Sequence, residues 1–422
     1  MAERDDTKTY ETETSVERFI MVAVCSGSNE ETQASLHELS QLIDTAGGVV
    51  VGTLVQNLKT PQQDTFVGRG KVDELRGLTR ELDATGIVCD AELTPSQMAN
   101  LSDQLDVKVI DRTVLILDIF AKRASTKEGK IQVELAQLRY RATRLTGYGT
   151  SLSRQGGGIG NRGPGENKLE VDRRLIRDRI SHLKRELEEV KAHSDLARKQ
   201  RERNAVPVVA IVGYTNAGKS TIFNTLTGAN VLEEDKLFAT LDPTTRNLTL
   251  ESGQQILLTD TVGFINKLPH HLIDAFRSTL EEARYADIIL HMVDASNPQM
   301  DLQMHVVYET LEKLDIENKP LITAFNKMDL VGEDKKSEFK DFRADYTFCI
   351  SARKRETLDG LLSAIEDILR SQKRYIEKVF DYKDAGQVAR IRKYGQLLEE
   401  KYTDEGIYVR AYVPVELYGS LK

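Results

Sequence analysis

The 422-residue sequence predicts an α/β protein in which a small parallel-sheet domain and a long antiparallel helical hairpin precede a larger sheet flanked by helices. Three observations carry this expectation. Apolar, β-branched runs alternate with helical stretches in both halves of the chain, the pattern of a parallel sheet. Between the halves, from about Thr113, helix signals dominate, and apolar residues recur with the spacing of packed helical seams. In the second half, the run PVVAIVG (Pro207–Gly213) leads through a glycine loop into STIFNTLTG, a strand–loop–helix unit.

Composition places the chain among soluble globular proteins, with 40% hydrophobic and 29% charged residues. No stretch approaches the ~20 apolar residues of a membrane span. The first residues, MAERDDTKTYETETSVER, are polar and acidic and lack the apolar core of a secretory signal. Three cysteines lie far apart, and Cys25 and Cys89 sit in apolar runs. They read as buried free thiols in a reducing compartment, so a cytoplasmic protein is expected. The net charge of −8 is unevenly spread: Arg139–Arg203 holds 17 Lys or Arg against 9 Asp or Glu. Such a basic segment in an acidic chain suits a nucleic-acid partner.

Residues 1–17 form a charged tail, expected to be disordered. FIMVAVC, VVVGTLVQ, GIVCD and VKVID then read as strands, with helices at ASLHELSQLIDTAGG, VDELRGLTREL and PSQMANLSDQL. Gly68-Arg69-Gly70-Lys71 opens the second of these helices and offers a weak anion contact. Two seams follow: Ile131, Leu135, Leu138, Ala142 and Leu145, then Leu169, Ile176, Ile180, Leu183, Leu187 and Val190. They predict two helices paired as an antiparallel hairpin. The connecting stretch GYGTSLSRQGGGIGNRGPGENKLE (147–170) is too rich in glycine for regular structure. It carries Gly156–Gly165, Arg154, Arg162 and Lys168, and reads as a contact loop that orders on its partner.

The glycine loop of the second half is GYTNAGKST, with the pattern G-x-x-x-x-G-K-[ST] at Gly213, Gly218, Lys219 and Ser220. Its backbone N–H groups and the helix N-terminus suit phosphate oxygens. Lys219 would reach the β- and γ-phosphates, and the Ser220 hydroxyl would ligate Mg²⁺. KLFATLDPTTR follows, where Thr240, Thr244 and Thr245 each offer a hydroxyl for the metal shell. DTVG (Asp260, Thr261, Val262, Gly263) ends a strand; its aspartate can hold Mg²⁺ through water, and its glycine N–H can sense the γ-phosphate. Asn326-Lys327-Met328-Asp329 ends another strand, where a carboxylate can accept both N–H donors on one edge of guanine. Ser351-Ala352-Arg353 ends a third, with backbone N–H groups for guanine O6. All of these lie at strand C-termini, where open α/β sheets bind ligands. From Lys373, YIEKVFDY, a helix AGQVARIRKYGQLLEEKY and GIYVRAYVP predict a small β-α-β appendage.

These motifs resemble the translation-factor-related class of P-loop GTPases. The words GYTNAGKST, FATLDPTTR, DTVGFI, NKMD and SAR, with GGGIGNRGPGENKLE outside the nucleotide half, resemble the HflX family over about residues 18–372. The resemblance implies a P-loop NTPase G domain and a protein that binds the large ribosomal subunit, monomeric when bound, to split or rescue ribosomes under stress. It implies that Thr240 is the switch threonine on Mg²⁺, with Ser220 the other protein ligand. The nucleotide-binding set would be Gly213, Tyr214, Thr215, Asn216, Ala217, Gly218, Lys219 and Ser220. Phe238, Ala239, Thr240, Leu241 and Asp242 would join it, with Asp260, Thr261, Val262 and Gly263. Asn326, Lys327, Met328, Asp329, Ser351, Ala352 and Arg353 would complete it. The expected divisions are the tail 1–17, an α/β domain 18–122, the basic hairpin 123–203 with its loop at 147–168, the G domain 204–372 and a C-terminal α/β appendage 373–422.

Many related GTPases place Gln directly after D-x-x-G to orient the attacking water. Here Phe264 stands there, so a slow intrinsic GTP hydrolase stimulated by ribosomes is expected, with Gly263 and Thr240 sensing the γ-phosphate. Two other readings fit the sequence. One is a regulatory protein whose nucleotide state gates a protein partner. The other is a GTPase with an additional ATPase activity in its N-terminal domain, resting on the Gly68–Lys71 loop.

Overall fold

The computed structural model describes residues 16–152, 164–203, 206–229, 236–267, 280, 282–316, 318–332 and 338–421. The chain divides into two compact units, Met1–Asp118 and Ile119–Lys422.

The first unit alternates strand and helix: β1 (Arg18–Cys25), α1 (Asn29–Ala46), β2 (Val49–Asn57), α2 (Arg69–Glu81), β3 (Gly86–Cys89), α3 (Pro95–Leu105) and β4 (Lys108–Asp111). The sheet is parallel throughout, in the order β2-β1-β3-β4. Local chemistry sets the helix starts. Ser28 accepts the Glu31 N–H ahead of α1, so that helix begins earlier than its apolar stripe suggests. Thr94 and Gln97 form a reciprocal capping box, with Pro95 at the first helical position of α3. The core gathers Ile20, Val22, Leu54, Leu75, Ile87 and Leu101. At the sheet's edge Arg112 is fully buried between Asp90 and Glu38. Cys89 is buried as expected, but Cys25, at the strand end, is only partly so. The helix α4 (Arg112–Arg123) runs across the boundary between the units.

The second unit opens on α5 (Lys127–Leu152) and α6 (Pro164–Arg203). Ile131 and Leu135 pack on Leu183, flanked by Leu138, Ile180, Leu187 and Val190, as the seams predict. Arg179 meets Glu134 and Lys127 meets Glu186, so the helices run antiparallel. Both helices reach further into the glycine-rich stretch than its composition suggests. Helix geometry continues through Leu152 on one side and resumes at Pro164, a residue suited to the first helical turn. Residues 153–163, with Arg154, Gly156–Gly158, Gly160 and Arg162, lie outside the described residues.

Next come β5 (Val208–Gly213), α7 (Lys219–Thr227), β6 (Thr244–Thr249), β7 (Gln255–Asp260), β8 (Ile288–Asp294), α8 (Met300–Lys313), β9 (Leu321–Asn326), β10 (Tyr346–Cys349) and α9 (Asp359–Ser371). The six strands order as β10-β9-β8-β5-β7-β6, parallel except for β6, which runs antiparallel to β7. Ile211, Phe223, Leu258, Leu290, Ala324 and Ile365 lie in one buried core.

The C-terminal piece corrects one expectation. The predicted helix over AGQVARIRKYGQLLEEKY stops early: α10 spans Ala385–Tyr394, and Gln396–Thr403 is a strand, β12. Gly395 takes extended backbone and breaks the helix, and pairing with β13 (Gly406–Pro414) overrides the helical propensity of Leu-Leu-Glu-Glu-Lys. With β11 (Lys373–Phe380), the strands form an antiparallel sheet ordered β11-β13-β12, followed by α11 (Val415–Ser420). No described helix is long and apolar enough to cross a membrane.

Candidate functional site

Strands β5, β7, β9 and β10 deliver their C-terminal ends to one edge of the six-stranded sheet, where the four sequence motifs begin. Two glycines of the first loop are required by geometry. Gly213 has φ 153°, and a Cβ there would stand 2.3 Å from the Met292 carbonyl oxygen. Gly218 has φ 92°, and its Cβ would stand 2.1 Å from Asn326 Nδ2. The loop can therefore curl tightly and deliver Lys219 to the first turn of α7.

A cavity of about 460 Å³ opens over this edge. Of the anticipated residues, Thr215, Asn216, Gly218, Lys219, Ser220, Phe238, Ala239 and Thr240 line it, with Thr261, Gly263, Asn326, Lys327, Asp329, Ser351, Ala352 and Arg353. Gly213, Tyr214, Ala217, Asp260, Val262 and Met328 are buried and do not line it. Leu241 is buried, and the Asp242 carboxylate is spent on Ser125 and Thr126, so neither lines the cavity. The motif reading also missed three lining residues, Thr221, Lys236 and Leu330. Each lies close to a motif, but adjacency alone carries no direction.

The phosphate end is organised by charge. Lys219 is buried and donates to the Tyr214 carbonyl at 2.7 Å. Burial pushes its ammonium down to about 8, against the opposing pull of Asp260. Burial pushes the Asp260 carboxyl up, although Lys219, Ser220 and Thr240 favour its charged form. Ser220 Oγ lies 2.8 Å from both Thr240 Oγ1 and Asp260 Oδ2, and Thr240 Oγ1 lies 3.1 Å from the same oxygen. Among the three candidate threonines only Thr240 joins this cluster. Thr244 and Thr245 begin β6, and the Thr245 hydroxyl turns to Thr259 at 2.9 Å.

The other end is tied by Asn326. Its Nδ2 donates to the Ala217 carbonyl at 2.9 Å, and its Oδ1 accepts the Ala352 N–H at 2.8 Å. One buried amide thus links the first loop to the Ser351–Arg353 loop. Lys327, held at φ 62°, reaches Asp294 at 2.8 Å. Asp329 is exposed and accepts from the Ser351 hydroxyl at 2.7 Å, which lowers its carboxyl below the usual range. One oxygen is thereby oriented, and the residue lines the cavity.

Phe264 is buried, and its backbone pairs with the first loop: its N–H donates to Gly213, and Thr215 donates to its carbonyl. Tyr214 Oη accepts the Asn266 N–H at 2.7 Å. In the first unit, the Gly68 N–H is taken by Gln56 and Lys71 by Glu74.

A mostly parallel sheet with a G-x-x-x-x-G-K-[ST] loop, bonded Ser220 and Thr240 hydroxyls and an Asn-Lys-x-Asp turn at one edge defines a P-loop GTPase. Residues 33–121 match the family described as "GTP-binding GTPase N-terminal", 123–201 "GTP-binding GTPase Middle Region", and 208–327 "50S ribosome-binding GTPase". The chain is 61% identical over 405 residues to GTPase HflX of Lacrimispora saccharolytica, covering 96% of this chain and 95% of that one. It is 48% identical over 406 residues to GTPase HflX of Caldanaerobacter subterraneus subsp. tengcongensis, covering 96% and 93%. A crystal structure of SsGBP with GDP matches at 26% identity and a TM-score of 0.48, covering 84% of this chain and 98% of that chain. The chain belongs to the HflX family of GTPases and is a GTP hydrolase.

Proposed function

We propose that this GTPase acts on the large ribosomal subunit, and that the hairpin α5–α6 and the glycine-rich loop between its helices contact ribosomal RNA. The hairpin surface carries this reading: Arg174, Arg177, Lys184 and Arg185 are exposed along α6, in the segment with the basic excess. Arginine and lysine neutralise phosphates and release counterions, so such binding weakens steeply with salt. The match of 208–327 to a family described as ribosome-binding supports it. On this reading a single copy works in the cytoplasm to split or rescue stalled ribosomes.

The nucleotide is held by the cavity described above, with Mg²⁺ at Ser220 and Thr240. The donor set suits that ion. Octahedral ligands at about 2.0–2.1 Å place neighbouring oxygens roughly 2.9 Å apart, close to the 2.8 Å between the Ser220 and Thr240 hydroxyl oxygens. Asp260 Oδ1 is buried and accepts no hydrogen bond among the described residues, which leaves capacity for a metal-bound water. When bound, the ion neutralises phosphate charge. Lys219 meets the β- and γ-phosphates, Gly263 senses the γ-phosphate, and Asp329 reads the guanine edge.

Phe264 offers no hydrogen bond to an attacking water, and its side chain is buried. Hydrolysis by the isolated protein is therefore slow, and the ribosome supplies the missing positioning. Steady-state GTP hydrolysis with and without large subunits tests this. Co-sedimentation with GDP and with a non-hydrolysable GTP analogue, across salt and after deletion of Gly156–Gly165, tests the contact. Equal hydrolysis rates, with sedimentation insensitive to salt and to the deletion, would leave a nucleotide-gated regulator of a protein partner.

A further inference from the structure

The segment that carries Thr240 ends on the hairpin. Asp242 accepts four hydrogen bonds from the start of α5. Two come from the N–H groups of Ser125 (2.8 Å) and Thr126 (2.9 Å), and two from their hydroxyls at 2.7 and 2.6 Å. Thr126 precedes the first helical residue, and its Oγ1 also accepts the Gly129 N–H at 3.0 Å. That hydroxyl therefore accepts from the helix and donates to Asp242. The carboxylate also meets the positive end of the helix dipole. Burial alone would push the Asp242 carboxyl up, but the bonds from Thr126 and Ser125 outweigh it and hold it down. Gly129 makes room for the approach, since a Cβ there would stand 2.3 Å from Asp242 Oδ1.

The rest of the segment is fixed as well. Phe238, at φ 56°, meets Phe120 edge-on at 4.7 Å, and Leu241 is buried. Asp242 precedes Pro243, which restricts it to extended backbone. Only Leu241 separates it from Thr240, and two residue steps span at most about 7 Å. A shift of Thr240 by several ångströms cannot be absorbed in so short a connection.

We propose that Asp242 is a positioning residue that couples the cation-side threonine to the first turn of the hairpin. Drawing Thr240 into the Ser220–Asp260 cluster seats the cap on α5, and releasing Thr240 withdraws it. The proposal rests on the reading of Ser220 and Thr240 as the cation site, and it adds an internal route from nucleotide state to the hairpin.

The test is amide hydrogen exchange of residues 125–130 in the full chain, with Mg²⁺ and either GDP or a non-hydrolysable GTP analogue. Calorimetry gives both nucleotide affinities. In the wild type these amides exchange more slowly with the triphosphate. In Asp242→Ala they exchange about five- to tenfold faster, as expected when the Ser125 and Thr126 N–H groups lose their shared acceptor, and equally with both nucleotides. Gly129→Ala displaces the carboxylate without removing it and gives the same loss of nucleotide dependence. A purely structural cap would speed exchange but preserve the difference between nucleotides, which overturns the proposal. So would a wild type that binds both nucleotides and shows no difference, or an Asp242→Ala protein that no longer binds nucleotide. A wild type that binds neither nucleotide would remove the cation-site reading as well.

Discussion

Asn326→Ala should separate the two loops that frame the base end of the cavity. Asn326 is 3% exposed, and both of its amide bonds are made to backbone: Ala217 O at 2.9 Å and Ala352 N–H at 2.8 Å. Removing the side chain leaves a buried carbonyl and a buried N–H without partners. Each orphaned group costs about 1–3 kcal/mol, so the change costs about 2–6 kcal/mol in the arrangement that binds nucleotide. With half of that falling on binding, GDP affinity drops about fivefold to 150-fold. Asn326→Asp keeps the acceptor for Ala352 and sets a carboxylate oxygen against the Ala217 carbonyl, so it should bind no better than the alanine variant. Titration calorimetry with GDP and Mg²⁺ gives the affinity, and far-ultraviolet dichroism shows that the variants are folded. A folded Asn326→Ala protein with affinity within about threefold of wild type would refute the reasoning, because the amide would then not hold the two loops in register.

Asp329→Asn should weaken GTP by about one to two orders of magnitude, because a donor now faces two donors on the guanine edge. It should gain affinity for xanthosine triphosphate, whose C2 carbonyl accepts a donor; parallel titrations with both nucleotides check it. His291 is buried on β8 beside Tyr308, and burial pushes its imidazole down to about 4. Its folded value lies below the unfolded value of 6.5, so its neutral form is the stable one. Stability is complete above that unfolded value and is lost as pH falls toward 4, by about 2 kcal/mol at pH 5. His291→Phe should lose correspondingly less between pH 7.5 and 5 in urea denaturation. Arg112→Met should destabilise the first unit by about 3–5 kcal/mol, since Asp90 and Glu38 would keep buried charges without their cation. A urea midpoint at the wild-type value would show that those carboxylates are satisfied by other groups.

Most strands and all four motifs were legible because they depend on neighbours in the chain. An apolar run, a glycine loop and a helix follow from local sterics, and so does an aspartate at a strand end. Three features needed the third dimension. Thr240, Thr244 and Thr245 offer the same hydroxyl within six residues, and only the start of β6 assigns the last two to the sheet. Gln396–Thr403 has the composition of a helix and becomes a strand because β13 presents a matching edge, with Arg410 bonding Glu399 across it. Asp242 belongs by sequence to a nucleotide-facing segment, yet its carboxylate is spent 117 positions earlier, at Ser125. No periodicity in either segment could have paired them.

The two ends of the cavity are built differently, and the difference bears on how the site works. At the base end, bonds run between fixed backbones: Asn326 spans two loops, Ser351 holds Asp329, and Thr225 donates to the Ala352 carbonyl. At the phosphate end, a buried lysine and a buried carboxylate are each shifted toward their neutral forms by desolvation. The groups that relieve this strain, phosphate for the one and a cation for the other, arrive together. A phosphate beside Lys219 and a cation beside Asp260 would favour the charged forms that burial disfavours, and the Ser220 and Thr240 hydroxyls, here bonded to one another, would be the oxygen donors to such a cation. Thr240 stands two residues before Asp242, whose carboxylate is bonded to Ser125 and Thr126 at the start of α5, so the proposed coupling would act at this end of the cavity and not through the Asn326 contacts.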